Sequence, residues 1–276
     1  MSDPKEQPDD PYLPAELREQ VPPHERAMGF WEHLEELRGT IIKSVVTFMV
    51  FAGLIGYFIT DFNLALKWPL YLVQHENPGL VIDLGTVTIM EVFNMIIQMC
   101  LLGGLMLSAP FILFFIGQFV APALTPREMK AVLPMCVSAF FLFLAGAAFS
   151  FFLLVPSTLR VAVQLNETFD LAFRWTAGSY YSTLTWLVLG VGASFQFPLV
   201  IILLVWLGIM TTAFLRKYRR HAIVVIFIIA AIVTPTPDPI TQCVFAAPLY
   251  GLFEIAVVIA RRIEKKREQR LAAGLL

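Results

Sequence analysis

Three glutamates in one short segment are the side chains best placed to do chemistry in this sequence. Glu32, Glu35 and Glu36 lie in FWEHLEELRGTI, residues 30–41. Like charges three or four residues apart on a helix cost roughly a few tenths of a kcal/mol per pair, so this spacing brings the helix no structural gain. Because a carboxylate can accept the planar guanidinium of arginine through two parallel hydrogen bonds, the segment could be a receptor for guanidinium. The alternative is a solvated acidic helix face.

A second candidate acid, Glu128, lies in APALTPREMKAVLP, residues 121–134, and is the only acid of that segment. Three prolines restrict the backbone there, and a stiff connection suits a fixed display surface. Glu128 could therefore bind a guanidinium, or it could simply pair with neighbouring Arg127 or Lys130. The residues of the segment leave both interpretations open.

Few groups are available for catalysis. The histidines all lie outside the long apolar stretches: His24, His33, His75 and His221. There is no HExxH zinc motif and no GxSxG nucleophile motif. The cysteines form no CxxC and lie in apolar runs, which favours small core residues over a metal or redox site. They are Cys100, Cys136 and Cys243. We therefore predict no enzyme, no catalytic residue, no metal and no cofactor.

The composition is that of a membrane protein. Of the 276 residues, 58% are hydrophobic and only 15% are charged, which is not the composition of a soluble domain. Twenty lysines and arginines against 21 acids give a net charge of -1, without the basic excess of nucleic-acid-binding proteins. The expected partner from composition is the lipid bilayer, not a nucleic acid.

The apolar stretches predict an all-α polytopic membrane protein with six transmembrane helices. A helix needs about 20 residues to cross a hydrocarbon core of about 30 Å, so the stretch 175–215 could hold two helices. However, six spans with both termini in the cytoplasm put all but three of the 20 lysines and arginines on the cytoplasmic side, as the positive-inside rule requires. The predicted spans are residues 40–60, 93–120, 131–155, 182–208, 222–234 and 240–260.

The predicted fifth span is too short to cross alone. Its thirteen or so residues would cover roughly 20 Å. The bilayer must therefore thin there, or the helix must include part of the preceding RKYRRH loop, residues 216–221. We expect the sixth span to be short as well. The segment 30–41 shows apolar residues at helical spacing, which predicts a helix along the interface leading into the first span.

The remaining segments divide into tails and external loops. Residues 1–28 form a Pro-rich tail expected to be disordered and cytoplasmic, residues 29–262 the membrane domain, and residues 263–276 a basic cytoplasmic tail. The first tail has the features of neither a cleavable signal nor a transit peptide, which favours a prokaryotic plasma membrane. The long external loops 61–91 and 156–181 are predicted to contain short helices that form a cap.

Polar side chains within spans are costly and often functional. Gln196 could bond backbone groups freed by Pro198, and Glu254 could extend toward the cytoplasmic headgroups. Together they could instead form the site of a secondary solute or ion transporter, although no internal repeat supports this. A purely structural scaffold is a third alternative. Asp238, between the last two spans, is predicted to be an exposed turn acid.

Three motifs make the sequence resemble one family. HLEELRG (33–39), FVAPALTPREMKAVLP (119–134), and TPTPDPITQ with APLYGLFEIAV (234–242 and 247–257) are similar to TatC, the multispanning subunit of the twin-arginine protein translocase. The resemblance runs from about residue 30 to residue 262. It implies a concave, glove-like wall of helices that binds twin-arginine signal peptides and exports folded cargo with the proton motive force. It also implies single-span TatA- and TatB-like partners and a homo-oligomer within a larger complex.

The resemblance assigns roles to individual residues. It places the family's signal-binding glutamates at Glu36 and Glu128. Further positions match the family near that site and in the external loops: Arg38, Phe119, Pro122, Pro69 and Asp238. Where the family often carries glutamate in the fourth span this chain has Gln196, whose role must rest on hydrogen bonding because an amide cannot ionise. Thr234 and Gln242 are expected to be uncovered, and Gln242 is a candidate partner contact.

Overall fold

A computed structural model describes residues 30–77, 84–121, 129, 132–171, 175–234 and 238–272. Within these ranges the chain is helical, apart from short connections and one isolated β-bridge between Gly85 and Thr176. The helices are α1 (Phe30–Tyr57), α2 (Ile59–Leu66), α3 (Trp68–Glu76), α4 (Ile89–Val120), α5 (Val132–Phe149), α6 (Val155–Thr168), α7 (Ala177–Ser194), α8 (Phe197–Trp206), α9 (Thr212–Lys217), α10 (Arg219–Val233) and α11 (Pro239–Ala272).

Among the described residues, five helical segments are long and apolar enough to cross a membrane. They cover residues 31–57, 89–120, 132–168, 177–206 and 239–266. The predicted all-α, multi-pass membrane protein is confirmed at this level. The segment 30–41, predicted to be a helix leading into the first span, forms the start of α1, which runs unbroken into that span.

The two last predicted spans differ from each other in length. Helix α10, which corresponds to the predicted span 222–234, has 15 residues, or about 22 Å, and is as short as predicted; it begins inside the RKYRRH segment at Arg219. Helix α11 has 34 residues, so the expectation of a short sixth helix is wrong. The reason is that residues 261–270 are mostly Arg, Lys, Glu and Gln, which favour helix and carry α11 beyond its apolar part.

Two of the spans are interrupted where prolines occur. A π-helical turn, Ser150–Leu154, joins α5 to α6, and Pro156 lies in the first turn of α6. The fourth span breaks at Phe195 and Gln196, and Pro198 lies in the first turn of α8. Because proline lacks an N–H and clashes with the preceding turn, a local change of helix geometry at these places is expected.

Helix α7 lies at the centre of the bundle. It packs against α4, α5 and α10, and Leu184, Leu187 and Val191 on it are completely buried. Helix α1, in contrast, packs mainly on α4 and exposes apolar side chains such as Val46 and Val50. Exposed apolar surface of this kind is the expected face toward lipid, since hydrocarbon imposes no penalty on it.

The two predicted external loops do contain helices, and these contact each other. We call α2, α3 and α6 the cap. Arg160 on α6 donates two hydrogen bonds of 2.7 Å to the Glu76 carboxylate at the end of α3. The Tyr180 hydroxyl of α7 donates to the Leu66 carbonyl of α2 at 2.6 Å. The cap is therefore joined both within itself and to the central helix.

We predict that the Glu76–Arg160 pair makes the cap sensitive to acid. The guanidinium of Arg160, through its hydrogen bonds, lowers the pKa of the Glu76 carboxyl below its ordinary value. A carboxyl whose pKa is lowered by folding stabilises the fold above its unfolded pKa, and this contribution is lost as the pH falls through the folded pKa. At pH 7 the Arg160→Gln variant should unfold at slightly lower temperature than the wild type, as expected for an exposed pair.

Thermal unfolding in detergent at a series of pH values measures this contribution. The difference between wild type and Arg160→Gln should be present at pH 7 and vanish once Glu76 is protonated. A difference that persists unchanged at pH values below the folded pKa of Glu76 would show that Arg160 acts by packing and not by charge.

Candidate functional site

The site is built where α1 begins and α4 ends. Because the helices alternate in direction, this end of the bundle lies opposite the cap, and we call it the site end. There the imidazole of His33 on α1 stacks on the ring of Phe119 on α4, with ring centroids 4.4 Å apart and planes 17° apart. The stacking joins the first and second spans beside the glutamates.

Glu36 follows His33 by three residues, a helical spacing that puts the two side chains on one face of α1. Its Oε2 lies 3.9 Å from His33 Nδ1, is shielded from solvent, and accepts no hydrogen bond within the described residues. The Glu36 side chain as a whole is 32% exposed, so a donor can approach it. Because a shielded carboxylate oxygen without a donor is energetically costly, this atom is suited to accept one from a ligand.

The other members of the acidic segment differ from Glu36. Glu32, Glu35 and Arg38 all have exposed side chains on the same helix. Glu36 is thus set apart from its neighbours by its contact with the His33–Phe119 stack. Sequence reasoning singled out Glu36 and Phe119 separately but missed His33 as the residue that connects them. The HLEELR segment itself, with a histidine three residues before the glutamate, was the available signal.

Glu128 and Pro122 lie outside the described residues. The two ends of their segment are described and both belong to the site end: Ala121 follows Phe119 by two residues, and Val132 begins α5. The side chain of Val132 is close to Gly117, where a Cβ atom would come within 3.2 Å of its Cγ1. The described residues that flank the segment carrying Glu128 therefore lie at the end of α4, the helix that packs on α1.

Gln196 faces a neighbouring helix and not its own backbone. Its Nε2 donates to the Ala139 carbonyl of α5 at 3.0 Å, so the expectation that it bonds groups freed by Pro198 is wrong. The break between α7 and α8 turns the side chain toward α5. Gln196 also lines a cavity of about 250 Å³ between α4, α5 and α8, whose other lining side chains are almost all apolar.

Glu254 is held by α10. Its carboxylate accepts hydrogen bonds from Arg219 Nη2 at 2.7 Å and from the Tyr250 hydroxyl at 2.9 Å, so it does not extend alone toward the headgroups. Gln196 and Glu254 thus engage different neighbouring helices, α5 and α10, and their contacts do not assemble the joint site that a solute transporter would need. The sequence carried no signal for the pairing of Arg219 with Glu254, which are 35 positions apart.

The candidate residues near the cap have structural roles. Pro69 is buried in the first turn of α3, where its fixed φ and missing N–H are compatible with a helix start. The Asp238 Oδ2 accepts a 2.7 Å hydrogen bond from the Thr241 N–H at the start of α11. Asp238 is therefore a half-buried helix cap, and the expectation of an exposed turn acid is wrong because its carboxylate satisfies an end N–H group.

Two polar residues of the α10–α11 hairpin were expected to be uncovered. Thr234 is 5% exposed and donates to the Ala230 carbonyl, so that expectation is wrong for Thr234. Gln242 is partly exposed, but its Nε2 donates to the Phe227 carbonyl at 3.0 Å and connects the two helices. Within a membrane such bonds satisfy polar groups that lipid cannot.

Among the described residues, no three His, Cys, Asp or Glu side chains gather as a metal site. The cysteines are free; Cys100 and Cys136 are half-buried, whereas Cys243 is exposed. The expectation of a core position is wrong for Cys243. The reason is that an apolar run in a span can face lipid as readily as the protein interior.

These features define a class: a helical, multi-pass membrane protein with a shielded glutamate oxygen at one end and a helical cap at the other. Residues 32–248 match the family TatC, described as Sec-independent protein translocase protein. The TatC protein of Koribacter versatilis is 32% identical over 264 residues, covering 95% of this chain and 94% of the relative. The chain belongs to the TatC family.

Further relatives agree with this membership. The TatC protein of Carboxydothermus hydrogenoformans is 35% identical over 242 residues, covering 88% of this chain and 96% of its own length. A crystal structure titled twin arginine translocase receptor TatC in DDM superposes with a TM-score of 0.72 and 31% identity, covering 83% of this chain and 99% of that chain. The resemblance drawn from the three motifs is confirmed, and the protein is a transport subunit and not a catalytic enzyme.

Proposed function

We propose that this protein is the signal-peptide receptor and core subunit of a twin-arginine translocase, which exports folded proteins across a prokaryotic plasma membrane with the proton motive force. Family membership supports the transport role, and the names of its relatives include translocase and receptor. The single observation that carries the receptor assignment is the Glu36 carboxylate. Its shielded Oε2, held beside the His33–Phe119 stack without a hydrogen-bond donor, is a binding position for a cation.

The chemistry of the site favours arginine over lysine. One guanidinium on Glu36 and one on Glu128 would each form charge-assisted hydrogen bonds with a carboxylate, and paired arginines in one peptide would engage both. Lysine has a compact ammonium without the planar fork, so it cannot make the same two parallel bonds. Arg38, Phe119 and Pro122 complete the proposed site as neighbours of these two acids.

We further infer the membrane topology of the chain. The chain crosses six times with both termini in the cytoplasm, α10 is the shortened fifth crossing, and the site end faces the cytoplasm. In support, Arg216, Lys217, Arg220, Arg261 and Arg262 all lie on the elements α9, α10 and α11 at the site end. This is the side on which the positive-inside rule concentrates basic residues. Residues 29–262 form the membrane domain, preceded by the tail 1–28 and followed by the tail 263–276.

The partners in this proposal are single-span subunits of the TatA and TatB type, within an assembly that contains several copies of this chain. Helix α10 supports a docking role, since Val224, Ile228 and Ile232 form an exposed apolar face along it, four residues apart. Gln242 lies on the neighbouring helix. Gentle solubilisation of native membranes followed by capture of this chain should retain a one-helix companion.

Peptide binding tests the receptor assignment directly. Purified full-length protein in lipid nanodiscs should bind a signal peptide with consecutive arginines at least about tenfold more tightly than the same peptide with consecutive lysines, because the bidentate bonds are lost. Fluorescence anisotropy of the labelled peptides measures both affinities. Equal affinity for the two peptides, or binding to neither, would overturn the proposal.

A further inference from the structure

A basic cavity at the site end lies away from Glu36, between α9 and the end of α11. Its volume is about 560 Å³. The lining residues are Thr212, Ala213, Arg261, Arg262, Glu264 and Lys265. Three of these are cations and one is an acid, so the charge facing the cavity is predominantly positive.

The acid of this cavity is already engaged. Glu264 Oε2 accepts a hydrogen bond from the Thr212 backbone N–H at 3.0 Å and another from the Thr212 hydroxyl. These bonds hold the start of α9 on α11, 52 positions further along the chain. Arg261, Arg262 and Lys265 form no ion pair with any described residue. The cavity therefore presents three cations, and its one carboxylate, held on Thr212, pairs with none of them among the described residues.

The surroundings of the cavity place it at the membrane–water boundary. Arg261 and Arg262 come near the end of the apolar part of α11, whose candidate span covers residues 239–266. On and beside α9, the rings of Phe214 and Tyr218 lie 4.4 Å apart and are 47% and 36% exposed. Ile209, just before α9, is 70% exposed. Exposed aromatic and apolar side chains next to basic residues are typical of the headgroup level of a bilayer.

We infer that this cavity binds the headgroup of an anionic glycerophospholipid. Guanidinium groups donate pairs of hydrogen bonds to phosphate oxygens in a bidentate geometry, and basic cavities between helices on the cytoplasmic side bind anionic headgroups. The exposed apolar side chains of α9 and its flanks would lie against the acyl chains of the same lipid. Free phosphate would use the cations but would gain nothing from this apolar surface.

Lipid retention by the full-length protein tests the inference. The protein is exchanged into detergent micelles that contain equal amounts of phosphatidylcholine and phosphatidylglycerol, and native mass spectrometry counts the bound lipids. The wild type should retain phosphatidylglycerol preferentially. In the Arg262→Gln/Lys265→Gln variant, the preference for phosphatidylglycerol over phosphatidylcholine should fall by about fivefold for each cation removed. Lys43→Gln/Lys67→Gln removes the same charge from an exposed and a half-buried position outside the cavity and should retain the wild-type preference.

A charge-conserving variant and a competition with inorganic phosphate complete the experiment. Arg262→Lys/Lys265→Arg keeps the charge and should keep most of the lipid preference, which separates loss of the site from loss of the fold. Inorganic phosphate at equal concentration should not displace the lipid. An equal loss of lipid preference in Arg262→Gln/Lys265→Gln and in Lys43→Gln/Lys67→Gln would overturn the assignment. Displacement of the lipid by inorganic phosphate would overturn it as well. The peptide-binding test of the receptor function is independent of all these results.

Discussion

The double variant Glu36→Ala/Glu128→Ala should lose binding of twin-arginine signal peptides while it still folds and inserts. Each charge-assisted contact to a guanidinium contributes about 1.5–3 kcal/mol, so each single variant should weaken binding at least about tenfold and the double variant about a hundredfold or more. Glu36 Oε2 accepts no hydrogen bond among the described residues, so its removal should take nothing from the packed helices. Site-specific crosslinking of the peptide, with yields compared at equal protein, measures the loss.

Glu35→Ala is the matched control for this variant. Glu35 is one residue from Glu36 on the same helix but has an exposed side chain, so its removal changes the charge equally without touching the His33–Phe119 stack. Wild-type crosslinking by the double variant would remove Glu36 and Glu128 from the site. A loss in Glu35→Ala as large as in Glu36→Ala would show that general negative charge, and not this carboxylate, attracts the peptide.

The second large effect is expected at Gly104, where the backbones of α1 and α4 approach closely. A Cβ atom on Gly104 would lie 2.9 Å from both the Cα and the Cβ of Ala52 on α1, which is too close for any side chain. Since the obstacle includes backbone, the helices themselves must move apart. Gly104→Val should therefore destabilise the protein by about 3 kcal/mol, at the upper end of the cost of overpacking. Small residues allow this close approach in membrane proteins.

Unfolding of the purified protein in a detergent series measures that loss. Gly53→Val is the control, because a Cβ on Gly53 has no heavy atom within 4 Å and the substitution has the same intrinsic effect on a helix. Gly104→Val should also weaken peptide binding, since His33 and Phe119 belong to the two helices that it separates. Equal stability of the two variants would show that the α1–α4 contact is not needed for the fold.

Several features of this protein follow from local properties of its sequence. The apolar stretches, the short α10 and the helices within the external loops could be predicted because hydropathy and helical periodicity depend only on neighbouring residues. The proposal of a binding role for the HLEELR segment also came from local sequence, because three acids on one helix have no local structural benefit. The capping role of Asp238 had a local signal as well, since an Asp just before a helix start is a common N-cap, but the prediction of an exposed turn acid missed it.

Pairings between distant residues were decided only by the tertiary structure. The contacts of His33 with Phe119, Arg219 with Glu254 and Thr212 with Glu264 each join side chains from different helices. No periodicity within one helix contains that information. In a membrane protein, contacts between helices are especially hard to predict from sequence, because a residue facing lipid and a residue facing another helix can be equally apolar. The sequence alone therefore determined that the chain spans the membrane and named the acids that are candidates for binding arginine, whereas packing decided which helix faces meet and which polar groups of the described residues lack a donor.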